Sequence, residues 1–453
     1  MRVLRRVLSL ILLTGALLPL TAQDQQRPAD HVILISIDGL RPDFYRNPSW
    51  PAPTLQHLAA RGVSADGVRG VFPSVTYPSH TTIITGALPA AHGIYYNSPF
   101  EEEGYSGKWY WHEQDIKIPN LWDAAKSAGL TSANLLWPVS VGAPVDWNVP
   151  EIWPLDREVD FHSFMRGQVS PKGLWEELET KAVGSLNNTT YGMEQLGREG
   201  RTAMMAAHLF ETYKPNFMTV HFVLTDFTQH DYGRDSLEVR QAVGAVDFGT
   251  GVIWEAVKRA GVAERTALVI TGDHGFVNIH NELRPNVWLV QAGLRSAKSS
   301  LGDWKATFHT TGSSAFLHLR DPKDKATLAK VRQIIDDLPE NTRKLFHLLD
   351  REALDRWQSA PEAFLALSPV EGTGISYRTG DKDLVKSRKQ GDHGFLPNFE
   401  DIQTGFIGYG AGFRPGLVTK IIGLEDIAPA IAHLLGLDLK TPHGALHMGF
   451  FDR

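Results

Sequence analysis

The sequence predicts an α/β protein in which a doubly wound, mostly parallel sheet carries a small α+β insertion. Three runs consist mainly of aliphatic and β-branched residues without a polar face, which is typical of parallel strands covered by helices on both faces. Segments with helical periodicity alternate with these runs, as in doubly wound sheets. The apolar runs cover residues 31–37, 216–224 and 266–271, and the helical segments cover residues 53–62, 120–129, 202–213 and 237–261.

The composition is that of a globular protein and excludes several functional classes. Of the 453 residues, 42% are hydrophobic and 21% are charged, so a sizeable core can be buried. There are 45 Lys and Arg residues against 51 Asp and Glu, and the net charge of −6 excludes binding of a nucleic-acid polymer through bulk positive charge. The absence of cysteine excludes a disulfide scaffold, a thiolate zinc finger and a cysteine nucleophile.

Residues 1–22 have the pattern of a secretory signal peptide. Arg2, Arg5 and Arg6 precede an apolar run over residues 8–20, and small residues follow it. The run is short for a bilayer span, which needs about 20 apolar residues, and an uncleaved membrane anchor is the alternative. We therefore expect an exported protein, periplasmic or extracellular, without a transmembrane segment in the mature chain.

The remaining chain is predicted to form a catalytic core that an insertion divides into two parts. The insertion has strand patterns and one amphipathic helical pattern, which indicate a small α+β unit or cap. A polar segment with patches of helical pattern is expected to form a lid over the substrate cleft. The predicted boundaries are residues 23–288 and 390–453 for the core, 289–389 for the insertion, 156–200 for the lid, 306–319 and 375–378 for strands, and 325–338 for the helix.

Three aspartates follow the three predicted strands. Asp38 comes directly after the first strand, Asp226 follows the second and Asp273 follows the third. Ligands of doubly wound sheets bind beyond the carboxyl ends of the strands, so we expect these carboxylates to converge at one edge. One such Asp is usually a turn residue or a helix cap, but three together indicate a site.

Histidines accompany two of these aspartates. His230 lies four residues after Asp226, on the same face if the segment is helical. His274 follows Asp273 at a glycine-flanked turn, and His393 occurs in a similar Gly-Asp-His-Gly turn. Carboxylate oxygen and imidazole nitrogen are zinc ligands, so the set favours a metal centre. The alternative is a collection of separate caps, turns and a core histidine.

Thr76 is the candidate nucleophile. It precedes Pro78, which can occupy the first turn of a helix that continues to Thr85. Thr76 would then lie near the helix N-terminus, where the helix dipole favours negative charge. A hydroxyl needs activation before it attacks, and a bound metal supplies this by stabilising the alkoxide. The alternative is that Thr76 or Ser79 only caps the helix.

A series of motifs occurs in a fixed order between residues 31 and 436. It comprises Asp38-Gly39-Leu40-Arg41-Pro42-Asp43, Phe72-Pro73-Ser74-Val75-Thr76-Tyr77-Pro78-Ser79-His80, Thr85-Gly86, His92-Gly93-Ile94, Asn97, and the segments 226–230, 273–275 and 391–394. In this order the motifs resemble those of nucleotide pyrophosphatase/phosphodiesterases, a family of the alkaline phosphatase superfamily. The match is weakest between residues 289 and 389.

The resemblance implies an alkaline phosphatase-like fold with two zinc ions per chain. Thr76 would attack phosphorus in line, and water would then hydrolyse the phosphothreonine. Asn97 matches the side-chain amide that donates to a phosphate oxygen in the family, and the backbone N–H of Tyr77 would add a second donor. The implied metal ligands are Asp226, His230 and His393 for one zinc, and Asp38, Asp273, His274 and the Thr76 oxygen for the other.

The resemblance also implies a small-molecule phosphodiester or nucleotide substrate. Tyr77 stands where the family often has Phe, and its ring would stack on a nucleobase, unless it only packs at the helix start. Trp137 belongs to a segment near the base site. A phosphomonoesterase or phosphonate hydrolase of the same superfamily is the alternative activity, and a non-catalytic binding protein is a different class. Thr76 in place of Cys or Ser excludes a sulfatase. The oligomeric state stays open.

Overall fold

The computed structural model describes residues 27–187, 189–192, 195–297 and 303–452. The predicted signal peptide, residues 1–22, lies outside the described residues. The strands are β1 His31–Ile37, β2 Val63–Arg69, β3 Ser132–Leu135, β4 Trp147–Val149, β5 Phe217–Phe222, β6 Thr266–Thr271, β7 Val277–Leu283, β8 Ala306–Thr311, β9 Ser314–Leu319, β10 Phe346–Leu349, β11 Ala366–Pro369, β12 Gly372–Ile375, β13 Leu384–Lys386, β14 Gly391–Asp392, β15 Phe406–Gly410 and β16 Leu417–Gly423. The α-helices are α1 Pro42–Arg46, α2 Pro53–Arg61, α3 Thr76–Thr85, α4 Pro89–His92, α5 Leu121–Ser127, α6 Phe161–Gln168, α7 Leu174–Leu178, α8 Leu196–Tyr213, α9 Leu224–Tyr232, α10 Leu237–Arg259, α11 Pro285–Gln291, α12 Lys325–Asp336, α13 Glu340–Arg343, α14 Arg351–Arg356 and α15 Ile427–Leu435.

An eight-stranded sheet forms the centre of the fold. Its strand order is β16–β2–β15–β6–β1–β5–β3–β4. Strand β1 runs parallel to both of its neighbours, β5 and β6. Strand β15 is antiparallel to both β6 and β2. The prediction of a mostly parallel sheet is therefore confirmed.

Helices cover both faces of this sheet. Ile33, Ile35 and Ile37 of β1 pack into a core cluster that also contains apolar residues of α2, α8 and α10. Val32 and Leu34 point to the opposite face and pack with residues of α3, α5 and α15. Because β1 is buried on both faces, its sequence is a nearly continuous aliphatic run, interrupted only by His31 and Ser36, and this is the feature that predicted the fold.

The second apolar run ends earlier than the sequence predicts. Strand β5 stops before Val223, and α9 begins at Leu224. The carboxylate of Glu199 accepts hydrogen bonds from the N–H groups of Val223 (3.0 Å) and Leu224 (2.8 Å), which would otherwise lack partners at the helix start. Asp226 consequently lies in the first turn of α9, and His230 lies one turn later on the same face.

The predicted insertion contains a four-stranded antiparallel sheet of order β10–β11–β9–β8. Leu289 of α11 and Val331 of α12 pack against it in a separate core cluster. A second small sheet begins before the predicted boundary at residue 289, because β7 pairs with β12 and β13. The strand predicted at 375–378 ends at Ile375, where the ladder between β12 and β7 ends.

The predicted lid, residues 156–200, packs mainly on the core. Met165, Leu174 and Trp175 join the same cluster as α8 and α10. None of the residues that the structure describes in this range lines the candidate cavity presented below. Its role as a lid stays a prediction. None of the described helices combines the length and the apolar character that a membrane span requires.

Candidate metal centre

The six predicted ligands lie in two groups at the carboxyl edge of the central sheet. Within each group, one donor atom from every residue lies within 4.8 Å of the others. We call the first group the buried cluster, because its side chains are almost inaccessible to solvent, and the second the open cluster. The buried cluster is Asp38, Asp273 and His274, and the open cluster is Asp226, His230 and His393.

The buried cluster is built on the ends of β1 and β6. Nε2 of His274 lies 3.4 Å from Oδ1 of Asp38 and 3.1 Å from Oδ2 of Asp273. The other oxygen of Asp273 accepts hydrogen bonds from the N–H groups of Gly39 and His274, both at 3.0 Å. Nδ1 of His274 lies 3.1 Å from the carbonyl of Gly275. The ring is thus oriented through Nδ1, and its Nε2 faces the two carboxylates.

The open cluster joins α9 to the turn after β14. Nε2 of His230 and Nε2 of His393 both lie 3.4 Å from Oδ1 of Asp226. Nδ1 of His230 lies 3.0 Å from the carbonyl of Gly391, and Nδ1 of His393 lies 3.0 Å from the carbonyl of Ser74. When each Nδ1–H donates to its carbonyl, both Nε2 atoms remain free as ligands. This arrangement is typical of metal-binding histidines.

The donor atoms are placed to bind a divalent cation, because several of them form no hydrogen bond with one another. Oδ1 of Asp38, Oδ1 of Asp226, Oδ2 of Asp273 and Nε2 of His274 are buried and have no hydrogen-bond partner among the described residues. Buried polar atoms nearly always have partners. Oxygen and nitrogen donors of these kinds are the ligands found in catalytic zinc sites.

The pKa values show how strongly these groups perturb one another. Burial, and then the charge of Asp273, raises the pKa of Asp38 well above its usual value. Burial acts to raise the pKa of Asp273 too, but the adjoining His274 outweighs it and the pKa falls. Burial acts to lower the pKa of His274, but Asp273 and Asp38 raise it to about 9. In the open cluster, burial lowers the pKa values of His230 and His393.

Thr76 is the first residue of α3 and lines the same cavity as Asp38 of the buried cluster and the three residues of the open cluster. Val75 occupies the cap position, and no side chain makes a capping hydrogen bond there. The alternative that Thr76 or Ser79 caps this helix is therefore wrong. The Thr76 carbonyl lies 2.8 Å from Nδ1 of His80, one turn further along α3. This places the candidate hydroxyl at a helix N-terminus, where negative charge is stabilised.

Asn97 lies beside Thr76 on the cavity wall. Its Oδ1 accepts a hydrogen bond of 2.9 Å from the backbone N–H of Tyr77. This bond orients the amide and leaves Nδ2 of Asn97 as the donor for a ligand. The N–H of Tyr77, predicted as a second phosphate donor, is occupied by Asn97 in this arrangement.

Tyr77 and Trp137 occupy different positions from those predicted. Both side chains are completely buried, and neither is part of the cavity wall. The Tyr77 ring packs edge to face on Trp109, and the Trp137 ring packs in the same way on His80. These positions contradict the predicted contact of either ring with a substrate. The aromatic wall of the cavity includes Trp109 and Trp153 instead.

The structure adds a hydrogen-bonded pair that the sequence did not predict. Nδ1 of His221 lies 2.9 Å from Glu151, and Nε2 of His221 lies 3.3 Å from Oδ2 of Asp38. The Tyr77 hydroxyl donates to the other Glu151 oxygen at 2.8 Å. Burial acts against a charge on His221, but Asp38 and Glu151 outweigh it and raise its pKa. The pair therefore supports the carboxylate of Asp38 from behind.

The cavity in front of the clusters has a volume of about 450 Å³. It contains two cationic side chains, Lys389 and Arg295, that sequence reasoning did not assign to a site. Nζ of Lys389 lies 3.2 Å from Oδ1 of Asp392, and that carboxylate also lies 3.4 Å from Nδ1 of His230. The only sequence signal for Lys389 is its position three residues before Asp392, in the turn that carries His393.

The fold and the two clusters define an α/β protein of the alkaline phosphatase-like class. The chain is similar in structure to human ectonucleotide pyrophosphatase/phosphodiesterase 5, with a TM-score of 0.65 and 19% sequence identity, over 92% of this chain and 97% of that one. It is also similar to the murine protein 5, solved as an inactive variant in complex with AMP, with a TM-score of 0.64 and the same identity and coverage.

The chain belongs to the type I phosphodiesterase / nucleotide pyrophosphatase family, whose model matches residues 32–396. It is 24% identical to human ectonucleotide pyrophosphatase/phosphodiesterase family member 1. The matched region covers 92% of this chain but only 41% of that protein. It is 24% identical to human family member 7, over 97% of this chain and 86% of that protein. A third relative, the bovine bis(5'-adenosyl)-triphosphatase, is 24% identical over 97% of this chain and 84% of that protein.

Proposed function

We propose that this chain is an exported, two-zinc phosphodiesterase and nucleotide pyrophosphatase that acts through a phosphothreonine at Thr76. The observation that carries the proposal is that Thr76, Asp38 of the buried cluster and all three residues of the open cluster line one cavity, with the other two ligands of the buried cluster grouped around Asp38. Membership of the family supports the choice of phosphodiester and phosphoanhydride bonds. The relatives' names describe ectoenzymes, and together with the signal-like residues 1–22 they support a periplasmic or extracellular location.

The six cluster residues would hold the two ions. When bound, two divalent cations would polarise the phosphoryl oxygens and lower the pKa of the Thr76 hydroxyl. The chain itself supplies the orientation. Asp273 is fixed by the N–H groups of Gly39 and His274, and each cluster histidine is fixed through Nδ1. Such prior orientation reduces the reorganisation needed in the transition state.

Thr76 would form a bond from Oγ1 to phosphorus while the bond from phosphorus to the leaving oxygen breaks. The leaving group would be an alcohol or a nucleoside phosphate. Nδ2 of Asn97, oriented by the bond between its Oδ1 and Tyr77, would donate to an equatorial phosphoryl oxygen as negative charge develops there. Water would then hydrolyse the phosphothreonine and release the second product.

The cavity volume favours a diester over a monoester. About 450 Å³ lies in front of the clusters, which is within the range of sites for drug-sized molecules and much more than one phosphoryl group needs. A phosphomonoesterase or phosphonate hydrolase with the same clusters is the competing activity. It would leave most of this space without a role.

The test compares hydrolysis of bis(p-nitrophenyl) phosphate, p-nitrophenyl phosphate and ATP by the purified, zinc-loaded protein. We expect kcat/KM to be highest for a diester or anhydride. Thr76→Ala should lower kcat by at least about 1,000-fold while zinc content stays unchanged, and Thr76→Ser should retain part of the rate. A strong preference for the monoester would contradict the diesterase assignment. A Thr76→Ala variant with most of the activity would contradict the covalent mechanism.

A further inference from the structure

Arg295 lies in the wall of the cavity at the end away from the clusters. It follows α11 and lies beside the start of β8, where its Nη1 donates to the Thr307 hydroxyl at 2.8 Å. Its Nε donates to the carbonyl of Ser296 at 3.2 Å. The adjoining backbone is fixed by hydrogen bonds from Lys305 and Ala306 to the carbonyl of Leu294. The guanidinium is therefore held in place at the cavity wall.

No described residue offers Arg295 a carboxylate. Its polar contacts are with a carbonyl and a hydroxyl, both neutral. Burial alone lowers its pKa, with no anion nearby to oppose that effect. Removing a guanidinium from water without a partner is costly, so such groups are normally paired. Two other cations show the ordinary arrangement: Arg284 pairs with Glu282 at 2.7 Å, and Lys389 pairs with Asp392.

The length of β8 gives an approximate distance between Arg295 and Asn97, the residue beside Thr76. Thr307 contacts Arg295 at one end of the strand, and at the other end the hydroxyl of Thr311 accepts from the N–H of Asn97 at 3.4 Å. Four residues of strand span roughly 13 Å at about 3.3 Å per residue. Residues 307 to 311 all line the cavity, so one open space connects the two ends.

The wall between these ends is suited to an extended organic group. Phe308 and Tyr377 line the cavity together with Asn286, whose amide is occupied by the carbonyls of Phe308 (2.9 Å) and Tyr377 (3.2 Å). The apolar part of this wall would bury the body of a ligand, and the cation at its end would pair with a charged terminus.

We propose that Arg295 binds a second anionic group, a carboxylate or a phosphate, at the end of a substrate whose phosphodiester lies at the clusters. The inference rests on the proposed function and adds a substrate class to it: extended phosphodiesters with a negative charge on the order of 13 Å from the scissile phosphorus. The guanidinium would form paired, charge-assisted hydrogen bonds to the two oxygens of that group.

The test uses ω-carboxyalkyl methylphosphonates of increasing chain length as competitive inhibitors of bis(p-nitrophenyl) phosphate hydrolysis. Each acid is compared with its methyl ester, which has the same length and lacks the terminal charge. We expect the wild-type protein to bind the acid about tenfold more tightly than the ester at the chain length that reaches Arg295, because a charge-assisted pair contributes on the order of 1.4 kcal/mol. A phosphate-terminated series tests the second form of the anion.

Three variants test whether Arg295 causes the preference for the acid over the ester. Arg295→Gln should abolish the preference for the acid, Arg295→Lys should retain part of it, and Arg284→Gln, a cation of the same region that is already paired, should leave it unchanged. Equal inhibition by acid and ester at every length in the wild-type protein, or a preference that survives Arg295→Gln, would overturn the inference.

Failure of this inference can be told apart from failure of the proposed function. If bis(p-nitrophenyl) phosphate is not hydrolysed, the proposed function is wrong, and calorimetric titration of the same acid and ester pairs still decides whether Arg295 binds the anion. If Arg295→Gln does not fold, the comparison of acid with ester in the wild-type protein decides by itself.

Discussion

The two clusters use the same kinds of ligand but stand in different surroundings. In the buried cluster, Asp38 is 4% exposed and Asp273 and His274 are completely buried. In the open cluster, the side chains of Asp226 and His230 are 13% and 15% exposed. The buried cluster is formed by strand ends of the central sheet, and the open cluster by one helix and one turn. The open cluster is therefore the more accessible of the two to solvent, through Asp226 and His230.

The surroundings also assign different charges to the two histidine sets. The carboxylates around His274 raise its pKa to about 9, so its imidazole is protonated at neutral pH when no cation is bound. The pKa values of His230 and His393 are lowered, so both rings are already neutral. The carboxylates outweigh burial at His274, whereas burial outweighs them at His230, so the same side chain is a cation in one cluster and a neutral ligand in the other.

The largest expected effect is the loss of one ligand from either cluster. Asp273→Asn and Asp226→Asn should each lower kcat/KM by at least about 100-fold. Loss of a residue that binds the metal directly should reduce activity at least as much as loss of a group that orients such a residue. Each variant should also bind one zinc equivalent fewer, measured by elemental analysis after gel filtration. Two full equivalents together with near wild-type activity in either variant would remove that residue from the metal centre.

A smaller effect is expected from the groups that support each cluster. His221→Gln breaks the pair that holds Asp38 and should weaken zinc binding at the buried cluster by about 10- to 100-fold, measured by competition with a chelator. Ser313→Ala is the matched change behind the open cluster, because Ser313 donates to Asp392 at 2.7 Å. It should weaken only the open cluster, by about fivefold for one hydrogen bond. Equal weakening of both sites by either variant would show that the clusters are not independent.

A further expected effect concerns the pH dependence of zinc binding. Zinc must displace the proton of His274, so affinity at the buried cluster should rise by up to about tenfold per pH unit from pH 7 towards pH 9. The raised pKa of Asp38 acts in the same direction. The histidines of the open cluster lose their protons below their usual pKa and should add little dependence above pH 7. Calorimetry in buffers of different ionisation enthalpy measures the protons released, and equal release from both sites would contradict the assignment.

Most of the cluster residues could be predicted as candidates from local sequence, whereas their division into two groups and the place of His393 came from the family resemblance. An aspartate directly after a buried parallel strand must lie at the carboxyl edge of the sheet, as Asp38 and Asp273 do. A spacing of four places Asp226 and His230 on one helix face, even though the sequence misplaced the end of the preceding strand. Val223 and Leu224 are apolar, and an apolar pair is equally compatible with the end of a buried strand and with the start of a buried helix.

The residues that were missed depend on contacts between distant segments. Glu151 meets His221 across 70 positions and Tyr77 across 74. No periodicity records such contacts. The buried Tyr77 ring, whose hydroxyl donates to Glu151, corresponds to the alternative that Tyr77 packs at the helix start, but nothing in the sequence indicated its partner. The sequence also did not single out Arg295, because the absence of a carboxylate beside an arginine can be seen only when its neighbours in the folded chain are known.

Anomalous diffraction at the zinc edge, from crystals of the zinc-loaded protein, tests the central claim most directly. Two peaks are expected beside Thr76, one within bonding distance of Asp38, Asp273 and His274, and the other within bonding distance of Asp226, His230 and His393. A single peak, or peaks away from these side chains, would contradict a two-metal centre in this chain.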